Sequence, residues 1–316
     1  MDALVARPPV DARSAALLAL LGRLRDLDYD FVTPTPATHE RVRRRRPAGR
    51  ADALRDIFGW SRPFTPELLE PDMLDLARRA GIVRAGRDGL RLEVRVSSLD
   101  GRLHLHSAPT EDRDAVFLGP DSYRFARFLR RELEARPALG EALDIGVGAG
   151  AGALTLAACC PAARVLATDV NPRALELARV NIAHAALPVE LIETSGLPKE
   201  PARFEVIAAN PPYIAGEGGR TYRDGGDQLG AALALDWVRT GVRRLQPGGR
   251  FLLYTGSAIV DGRDGVHTAL AELAEAGSLD LAYDEMDPDV FGGLLRQDAY
   301  RDVERIAAIG AVLTAP

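Results

Sequence analysis

Cysteine, histidine, methionine and lysine are scarce in this chain of 316 residues, and these scarcities exclude several kinds of protein. The only two cysteines, Cys159 and Cys160, are adjacent, which excludes an ordinary disulfide between them and a four-cysteine zinc site. The five histidines form no H-x-x-x-H spacing, so no metal site is expected. The longest apolar runs, Ser14 to Gly22 and Ala151 to Ala163, are shorter than the roughly 20 residues that span a bilayer. Because the first residues also lack the apolar core of a signal peptide, we expect a cytoplasmic protein without a membrane segment.

Positive charge comes from 39 arginines and the single Lys199, and it is unevenly distributed. Residues 1–110 hold 19 arginines against 15 acidic residues, a net charge of +4. Residues 111–316 hold 21 basic residues against 30 acidic ones, a net charge of −9. The positive part contains six arginines between Arg41 and Arg50. This run could contact RNA phosphates or could be a solvated surface segment, and the sequence leaves both interpretations open.

The first 110 residues show short helices followed by a hairpin pattern. The predicted elements are a helix over 15–27, a connection over 31–50, helices over 51–58 and 66–80, and strands over 90–96 and 102–106. The two strands flank a turn at Asp100-Gly101. This order predicts a first domain over 1–110, an α+β module resembling a winged helix that recognises the substrate.

Residues 111–316 alternate between short apolar runs and amphipathic stretches, which predicts a second, catalytic domain. The predicted strands are 142–146, 164–169, 189–192, 204–209 and 250–255, and the predicted helices are 121–134, 150–160, 172–186, 229–245 and 265–276. Strands that alternate with helices need crossover connections, so the fold class is α/β, a doubly wound and mostly parallel sheet. Ligands bind such sheets at the carboxyl ends of the strands.

A glycine-rich segment, LDIGVGAGAG, closes the first strand of this domain and opens a helix. Gly146, Gly148 and Gly150 allow backbone to approach a ligand, and the free N–H groups of the helix start favour an anionic group such as a carboxylate. The spacing also satisfies the dinucleotide pattern G-x-G-x-x-G/A. An NAD-dependent oxidoreductase therefore remains open at this point.

Two acidic residues favour an amino-acid-bearing cofactor over a dinucleotide. Asp144, two residues before the first glycine, would face an ammonium group but would be poorly placed beside a pyrophosphate. Asp169 ends the second strand, where a carboxylate can accept hydrogen bonds from both ribose hydroxyls. Asn171 and Pro172, which follow, are also explained as an N-cap and a first helical residue.

The segment Asn210-Pro211-Pro212-Tyr213 follows the fourth strand. Two prolines remove backbone donors and fix an extended turn whose carbonyls can only accept hydrogen bonds. The Asn210 side chain and the Pro211 carbonyl could hold both N–H bonds of an amide or aromatic amine and accept its developing positive charge. Tyr213 would stack on the planar group that carries this nitrogen. A rigid turn without catalytic function is the alternative.

The set LDIGVGAGAG, ATDVNP and NPPYI resembles the class I S-adenosylmethionine-dependent methyltransferases of the methyltransferase small group, and among them the HemK-like glutamine methyltransferases. The resemblance covers residues 115–258 and extends to the glycine-rich stretch Tyr222–Gly230. It implies a Rossmann-like fold, S-adenosylmethionine as cofactor and in-line methyl transfer to nitrogen. The implied catalytic residues are Asn210, Pro211, Pro212 and Tyr213, and the implied cofactor-binding residues are Asp144, Gly146, Gly148, Gly150, Asp169, Val170, Ser195 and Asn210.

Ser195 marks a difference from the family, which usually carries an acid there to bind the adenine amino group. The N-terminal region differs too, because it lacks the compact helical bundle of HemK enzymes. The favoured substrate is a protein glutamine side chain, and the alternative is an exocyclic base nitrogen of RNA or DNA, since the same motif occurs in enzymes of both kinds. Either way we expect a macromolecular partner. A cofactor-binding module without catalysis is the remaining hypothesis.

Overall fold

The computed structural model of the protein describes residues 11–45, 53–110, 112–199, 202–213 and 230–316. In chain order, the elements of this part are α1 (Ala12–Asp26), α2 (Pro36–Arg45), α3 (Pro71–Arg79), β1 (Val83–Gly86), β2 (Gly89–Leu92), β3 (Val94–Leu99), β4 (Arg102–Ser107), α4 (Pro120–Ala135), β5 (Glu141–Ile145), α5 (Ala151–Cys159), β6 (Arg164–Asp169), α6 (Pro172–Ala185), β7 (Val189–Glu193), β8 (Phe204–Ala209), α7 (Ala232–Gly241), β9 (Leu245–Val260), β10 (Arg263–Asp264), α8 (Gly265–Gly277), β11 (Asp280–Asp287) and β12 (Arg305–Thr314).

The central sheet has the strand order β11-β12-β9-β8-β5-β6-β7, with β10 paired to β9. Neighbours from β9 to β7 are parallel, whereas β12 and β11 are antiparallel additions at one edge. The predicted α/β class with a mostly parallel sheet is confirmed. Because β5, β6, β7 and β8 run in the same direction, the loops that follow them meet at one edge of the sheet.

Helices cover both faces of this sheet, which explains why its strands are apolar on both sides. Along β8, Val206 and Ala208 pack with α4 and α5, whereas Ile207 and Ala209 pack with α7 and α8. Helix α6 packs beside α5 through Leu175 and neighbouring residues. Among the described helices the longest, α4, has 16 residues, and none combines the length and the apolar character needed to cross a membrane.

The elements up to β4, which the sequence predicts to be a separate module, share a core with α6. Helix α1 begins at an N-cap, Asp11, whose carboxylate accepts the Ser14 N–H at 2.8 Å, and its leucines lie in a core that continues into α6. Asn181 of α6 joins the two parts, since its fully buried amide exchanges hydrogen bonds with the Leu105 backbone of β4 and donates to the Ala149 carbonyl at 2.9 Å. The module therefore supports the glycine-rich loop.

Several sequence predictions for this module were wrong. The predicted connection over 31–50 contains α2, a helix that holds the described arginines of the basic run. The predicted strand over 90–96 is divided at Glu93 between two separate hairpins, β1–β2 and β3–β4, because the Glu93 backbone pairs with Ile82 and Ala108 instead of continuing one ladder. The described part of the predicted helix over 51–58 is one π-helical turn, Arg55–Gly59. The boundary at residue 110 stays a prediction.

Candidate active site

A cavity of about 640 Å³ lies at the edge of the sheet where β5, β6, β7 and β8 end. The start of α4 and the segment 289–294, between β11 and β12, complete its walls. All but one of the predicted site residues line it: Asp144, Gly146, Gly148, Asp169, Val170, Ser195, Asn210, Pro211, Pro212 and Tyr213. The exception is Gly150, whose Cβ position faces Leu154 and Ala178 at 3.7–4.0 Å, between helices α5 and α6.

The glycine-rich loop turns sharply between β5 and α5. Gly146, Gly148 and Gly150 have φ angles of 78°, 50° and 86°, in the left-handed region that favours glycine. The loop is fixed to β6 because the N–H groups of Gly146 and Val147 both donate to the Thr168 carbonyl. A Cβ on Gly146 would lie 3.0 Å from the Trp237 ring, so the loop backbone also passes close to an aromatic wall of the cavity.

Asp144 places a buried carboxylate at the base of the cavity. It is 1% exposed, and its Oδ1 atom has no hydrogen-bond partner among the described residues. Burial raises the pKa of this carboxyl to about 8, and the nearby charge of Asp169 acts in the same direction. The carboxylate needs a glycine beside it, since a Cβ on Gly152 would lie 2.6 Å from both oxygens. A cationic ligand group would satisfy the free oxygen and favour the ionised form.

Asp169 ties the end of β6 to the glycine-rich loop. Its Oδ2 accepts the Gly148 N–H at 2.9 Å, and its Oδ1 accepts the Asn171 N–H at 2.8 Å. Each oxygen keeps a second lone pair for a ligand hydroxyl. Burial raises the pKa of this carboxyl as well. Asn171 is the N-cap of α6, where its side chain accepts the Arg173 N–H, which matches the plainer explanation for that residue.

The NPPY segment leaves β8 directly into the cavity. Pro211 is buried, and Asn210, Pro212 and Tyr213 are partly accessible. The Tyr213 ring covers the Gly256 backbone of β9 so closely that a Cβ there would lie 2.5 Å from it. Its hydroxyl hydrogen-bonds to Asp121, and burial raises the pKa of this phenol well above its usual value. The segment is therefore held rigidly by neighbouring elements.

Comparison with known proteins shows which family this chain belongs to. The family model described as the methyltransferase small domain matches residues 115–259. The chain is 33% identical over 248 residues to the release factor glutamine methyltransferase of Cereibacter sphaeroides, a match that covers 63% of this chain and 86% of that protein. The chain belongs to the methyltransferase small family. It is an S-adenosylmethionine-dependent methyltransferase, and the resemblance to HemK-like enzymes is confirmed.

Two further comparisons place this methyltransferase among its relatives. It is 30% identical over 165 residues to the ribosomal RNA small subunit methyltransferase C of Pseudomonas aeruginosa, covering 52% of this chain and 44% of that one. The crystal structure of a SAM-dependent methyltransferase from Agrobacterium tumefaciens has the same fold, with a TM-score of 0.50, 17% identity and coverage of 78% and 80%. Family membership excludes the NAD-dependent oxidoreductase that the glycine pattern alone left open.

Asp121 is a residue of the methyltransferase cavity that sequence reasoning missed. It lies in the first turn of α4 and is 4% exposed, its Oδ1 accepts the Tyr254 hydroxyl at 3.0 Å, and its carboxyl group also hydrogen-bonds to the Tyr213 hydroxyl. Burial raises the pKa of its carboxyl. Arg124, one turn later, lies 3.4 Å from it and pairs with Asp287 at 2.8 Å. The only sequence signal was an acidic residue after Gly119-Pro120 at a helix start.

Two aromatic residues of the cavity were missed as well. Trp237 of α7 lies beside Gly146 and Gly196, where it can cover a flat ring. Phe291 has a φ angle of 58°, which is unusual for a large side chain, and its ring centroid lies 5.7 Å from that of Tyr213. Nothing near Phe291 in the sequence indicated a site, because it reaches the cavity only through the β11–β12 connection.

Part of the sequence pattern falls outside the described residues. Of the glycine-rich stretch Tyr222–Gly230, only Gly230 is described, with a φ angle of 92°. Of the arginine run, residues 41–45 lie on α2, and residues 46–50 are outside the described part.

Proposed function

We propose that this methyltransferase transfers a methyl group to the side-chain amide nitrogen of a protein glutamine. The observation that carries the proposal is the NPPY segment at the end of β8, which lines the same cavity as the glycine-rich loop and Asp169. The relative from Cereibacter sphaeroides, which this chain matches over most of its length, is named for release factor glutamine methylation. A reaction on such a substrate would take place in the cytoplasm.

We assign the cofactor to the part of the cavity between β5 and β7. The donors and acceptors there fit S-adenosylmethionine, since the unpartnered Oδ1 of Asp144 suits an ammonium group and the free lone pairs of Asp169 suit ribose hydroxyls. Ser195 and the exposed Val170 line the region after β7 and β6 where a nucleoside would lie, and Trp237 lines the same cavity. Gly146 and Gly148 let the loop backbone come close to the cofactor. Gly150 does not line the cavity, and its φ angle allows the loop to turn into α5.

When bound, S-adenosylmethionine supplies a methyl group on a positively charged sulfur, which leaves as a neutral thioether when the acceptor nitrogen attacks. The chain's own part is to hold that nitrogen. The Asn210 side chain and the Pro211 carbonyl accept its two N–H bonds, which aims the lone pair and stabilises the positive charge that develops on nitrogen. The proton then leaves to water once the nitrogen is cationic. Tyr213, fixed by Asp121 and Phe291, forms the wall against which the planar group lies.

A second candidate substrate is an exocyclic base nitrogen of RNA. The ribosomal RNA small subunit methyltransferase C relative favours it, and an aromatic amine presents the same two N–H bonds to Asn210 and Pro211 as a primary amide. In both cases the substrate is a macromolecule.

The test is transfer of a tritiated methyl group into lysate of a strain that lacks the gene, followed by separate nuclease and protease digestion. Label released only by protease, and found on glutamine after hydrolysis, supports the protein substrate. Label released only by nuclease supports the second candidate. The matched control is the Asn210→Ala enzyme, which should bind cofactor and transfer little label. Labelling by this variant at the parental rate would contradict the proposed role of the NPPY segment.

A further inference from the structure

A second cavity, of about 610 Å³, lies next to the cofactor cavity on the side of the N-terminal module. Helix α2, the β3–β4 hairpin and the chain after β4 form its walls. The two cavities share Pro36 and the segment Ala115–Phe117, so they adjoin each other. Nothing in the proposed reaction uses this second cavity, although its volume is in the range of small-molecule binding sites.

Arg95 of β3 lines the second cavity and is unusually placed for an arginine. It is only 6% exposed, its Nε atom donates to the Gly59 carbonyl at 2.8 Å, and its Nη2 atom is buried without a hydrogen-bond partner among the described residues. No carboxylate of the described residues forms an ion pair with it. The guanidinium lies over the Phe31 ring, 5.6 Å from its centroid. Burial lowers its pKa to about 10, still well above neutrality, so the charge is retained.

Arg43 and Arg44 of α2 line the same cavity. Arg44 pairs with Glu40, the only acidic residue among the described lining residues. Arg43 is exposed and has no ion pair with a described carboxylate, and partial loss of hydration together with the charges of Arg91 and Arg62 lowers its pKa. Three lining guanidiniums against one carboxylate give the walls a charge of +2.

The remaining polar groups do not neutralise this charge. His39 and His106 also line the cavity, and burial lowers the pKa of His39 to about 4 and that of His106 well below its usual value, so both are neutral at pH 7. The Ser107 hydroxyl oxygen accepts the Val116 N–H at 2.9 Å, which leaves its own proton free to donate. A buried, unpartnered guanidinium therefore faces a cavity with excess positive charge and a further donor.

We propose that this second cavity binds a phosphate group. A phosphate monoester carries about −1.5 to −2 charges at pH 7 and has three acceptor oxygens, which matches walls of charge +2. A single carboxylate would leave about half of that charge uncompensated. The volume is too large for phosphate alone and fits a phosphate attached to a nucleoside-sized group. The proposal does not depend on which nitrogen is methylated, and the phosphate monoester can be the 5′-phosphate of an RNA strand or belong to a small phosphorylated compound.

The test measures binding by calorimetry to the full chain saturated with S-adenosylhomocysteine, so that the cofactor cavity is filled. The probes are inorganic phosphate, uridine 5′-monophosphate, uridine and a five-residue oligouridylate that carries a 5′-phosphate. We expect both phosphate monoester and oligouridylate to bind at least about tenfold more tightly than uridine. Arg43→Gln should weaken phosphate binding at least about tenfold, since it removes a charged hydrogen-bond donor. Arg45→Gln is the matched control, because this exposed arginine of the same helix does not line the cavity.

Arg95→Lys adds a second variant that keeps the charge but removes the planar pair of donors. It should also weaken phosphate binding, and if it fails to fold, Arg43→Gln decides. Oligouridylate that binds much more tightly than the mononucleotide, with a strong salt dependence, identifies an RNA strand as the source. Equal affinity identifies a small phosphorylated compound. Three results would overturn the proposal: no binding of any phosphate probe, unchanged affinity in Arg43→Gln, or displacement of phosphate by an equal concentration of glutarate.

Discussion

The two adjacent cavities differ in the sign of their charge and in how that charge is built. Among the described residues, the cofactor cavity is lined by Asp121, Asp144, Asp169 and Asp289 against the single basic residue Arg124. The second cavity has three arginines against Glu40. S-adenosylmethionine carries two positive groups and one carboxylate, so an acidic cavity suits it, whereas the basic cavity suits an anion. The opposite charges of the two adjoining cavities therefore favour different ligands.

The cavities also differ in whether backbone or long side chains form their walls. Backbone turns and short strand-end side chains form the cofactor site, and Asp169 ties the end of β6 to the glycine-rich loop by accepting the Gly148 N–H. Long arginine side chains form much of the second site. A site of fixed backbone geometry suits one invariant cofactor, whereas long flexible side chains can adapt to different ligands. This comparison can be tested at single residues, with different readouts for each cavity.

The largest expected effect is at Asn210. Asn210→Ala removes an acceptor that strengthens its hydrogen bond only as charge develops on the nitrogen, so kcat should fall by about 10² to 10³, by analogy with loss of one oxyanion-hole donor. Cofactor affinity should change little, because Asp144 and Asp169 remain. Single-turnover methyl transfer and calorimetry measure the two quantities.

Tyr213→Phe is the graded control for that experiment. The ring is kept, but Asp121 loses one of its hydroxyl donors, so we expect a loss of about fivefold in kcat, equivalent to roughly 1 kcal/mol. If Asn210→Ala were no slower than Tyr213→Phe, the amide would have no special role in transfer and the NPPY segment would be a rigid turn.

The second effect concerns Asp169. Asp169→Ala should weaken cofactor binding by about 1.5–3 kcal/mol, roughly 10- to 150-fold, because hydrogen bonds to a charged group are lost. The variant also removes the acceptor of the Gly148 and Asn171 N–H groups, which loosens the loop. Calorimetry with S-adenosylhomocysteine measures the affinity, and Asp112→Ala, an exposed acid outside the cavity, is the control. Parental affinity in a folded Asp169→Ala protein would contradict the assignment.

The sequence predicted the residues that lie on continuous segments at strand ends. Gly146, Asp169 and Asn210 each follow a recognisable apolar strand, and parallel strands bring such segments together without further information. Asp121, Trp237 and Phe291 could not be found this way, because they reach the cavity from helices and a connection whose positions depend on tertiary packing.

The same reason explains why the second cavity was invisible in the sequence. The arginine run was identified, but α2 was predicted to be a connection because of its prolines and threonines. Arg95 lies 45 residues after Arg50, the end of this run, and has the sequence pattern of an ordinary strand residue. Only the packing of α2 against the β3–β4 hairpin brings Arg43 and Arg95 to one cavity.

A substitution at Gly152 tests the close contact between the α5 backbone and the Asp144 carboxylate. Gly152→Ala would place a Cβ 2.6 Å from both Asp144 oxygens and 2.7 Å from the Phe125 ring. Overpacking of this kind typically costs about 1–3 kcal/mol, so the free energy of unfolding in urea should fall by that amount. Gly22→Ala in α1 is the control, since its Cβ would meet nothing within 4 Å and should stabilise the protein by roughly 0.5–1 kcal/mol. Equal effects of both substitutions would show that the cavity base can relax.

The smallest effect is expected at Asp144, where stability and binding should change in opposite directions. Burial raises the pKa of its carboxyl from 3.8 to about 8 in the folded protein, so the unfolded chain gives up this proton more readily. The stability that this group contributes is therefore full below about pH 4 and is lost as the pH rises towards 8. Asp144→Asn does not titrate, and it should raise the Tm of the cofactor-free protein at pH 8 and raise it less at pH 5. It should weaken S-adenosylhomocysteine binding, because the ammonium loses its counter-charge. Thermal unfolding at both pH values and calorimetry measure the two changes, and a lower Tm at pH 8 would mean that the carboxylate already has a stabilising partner in the cofactor-free protein.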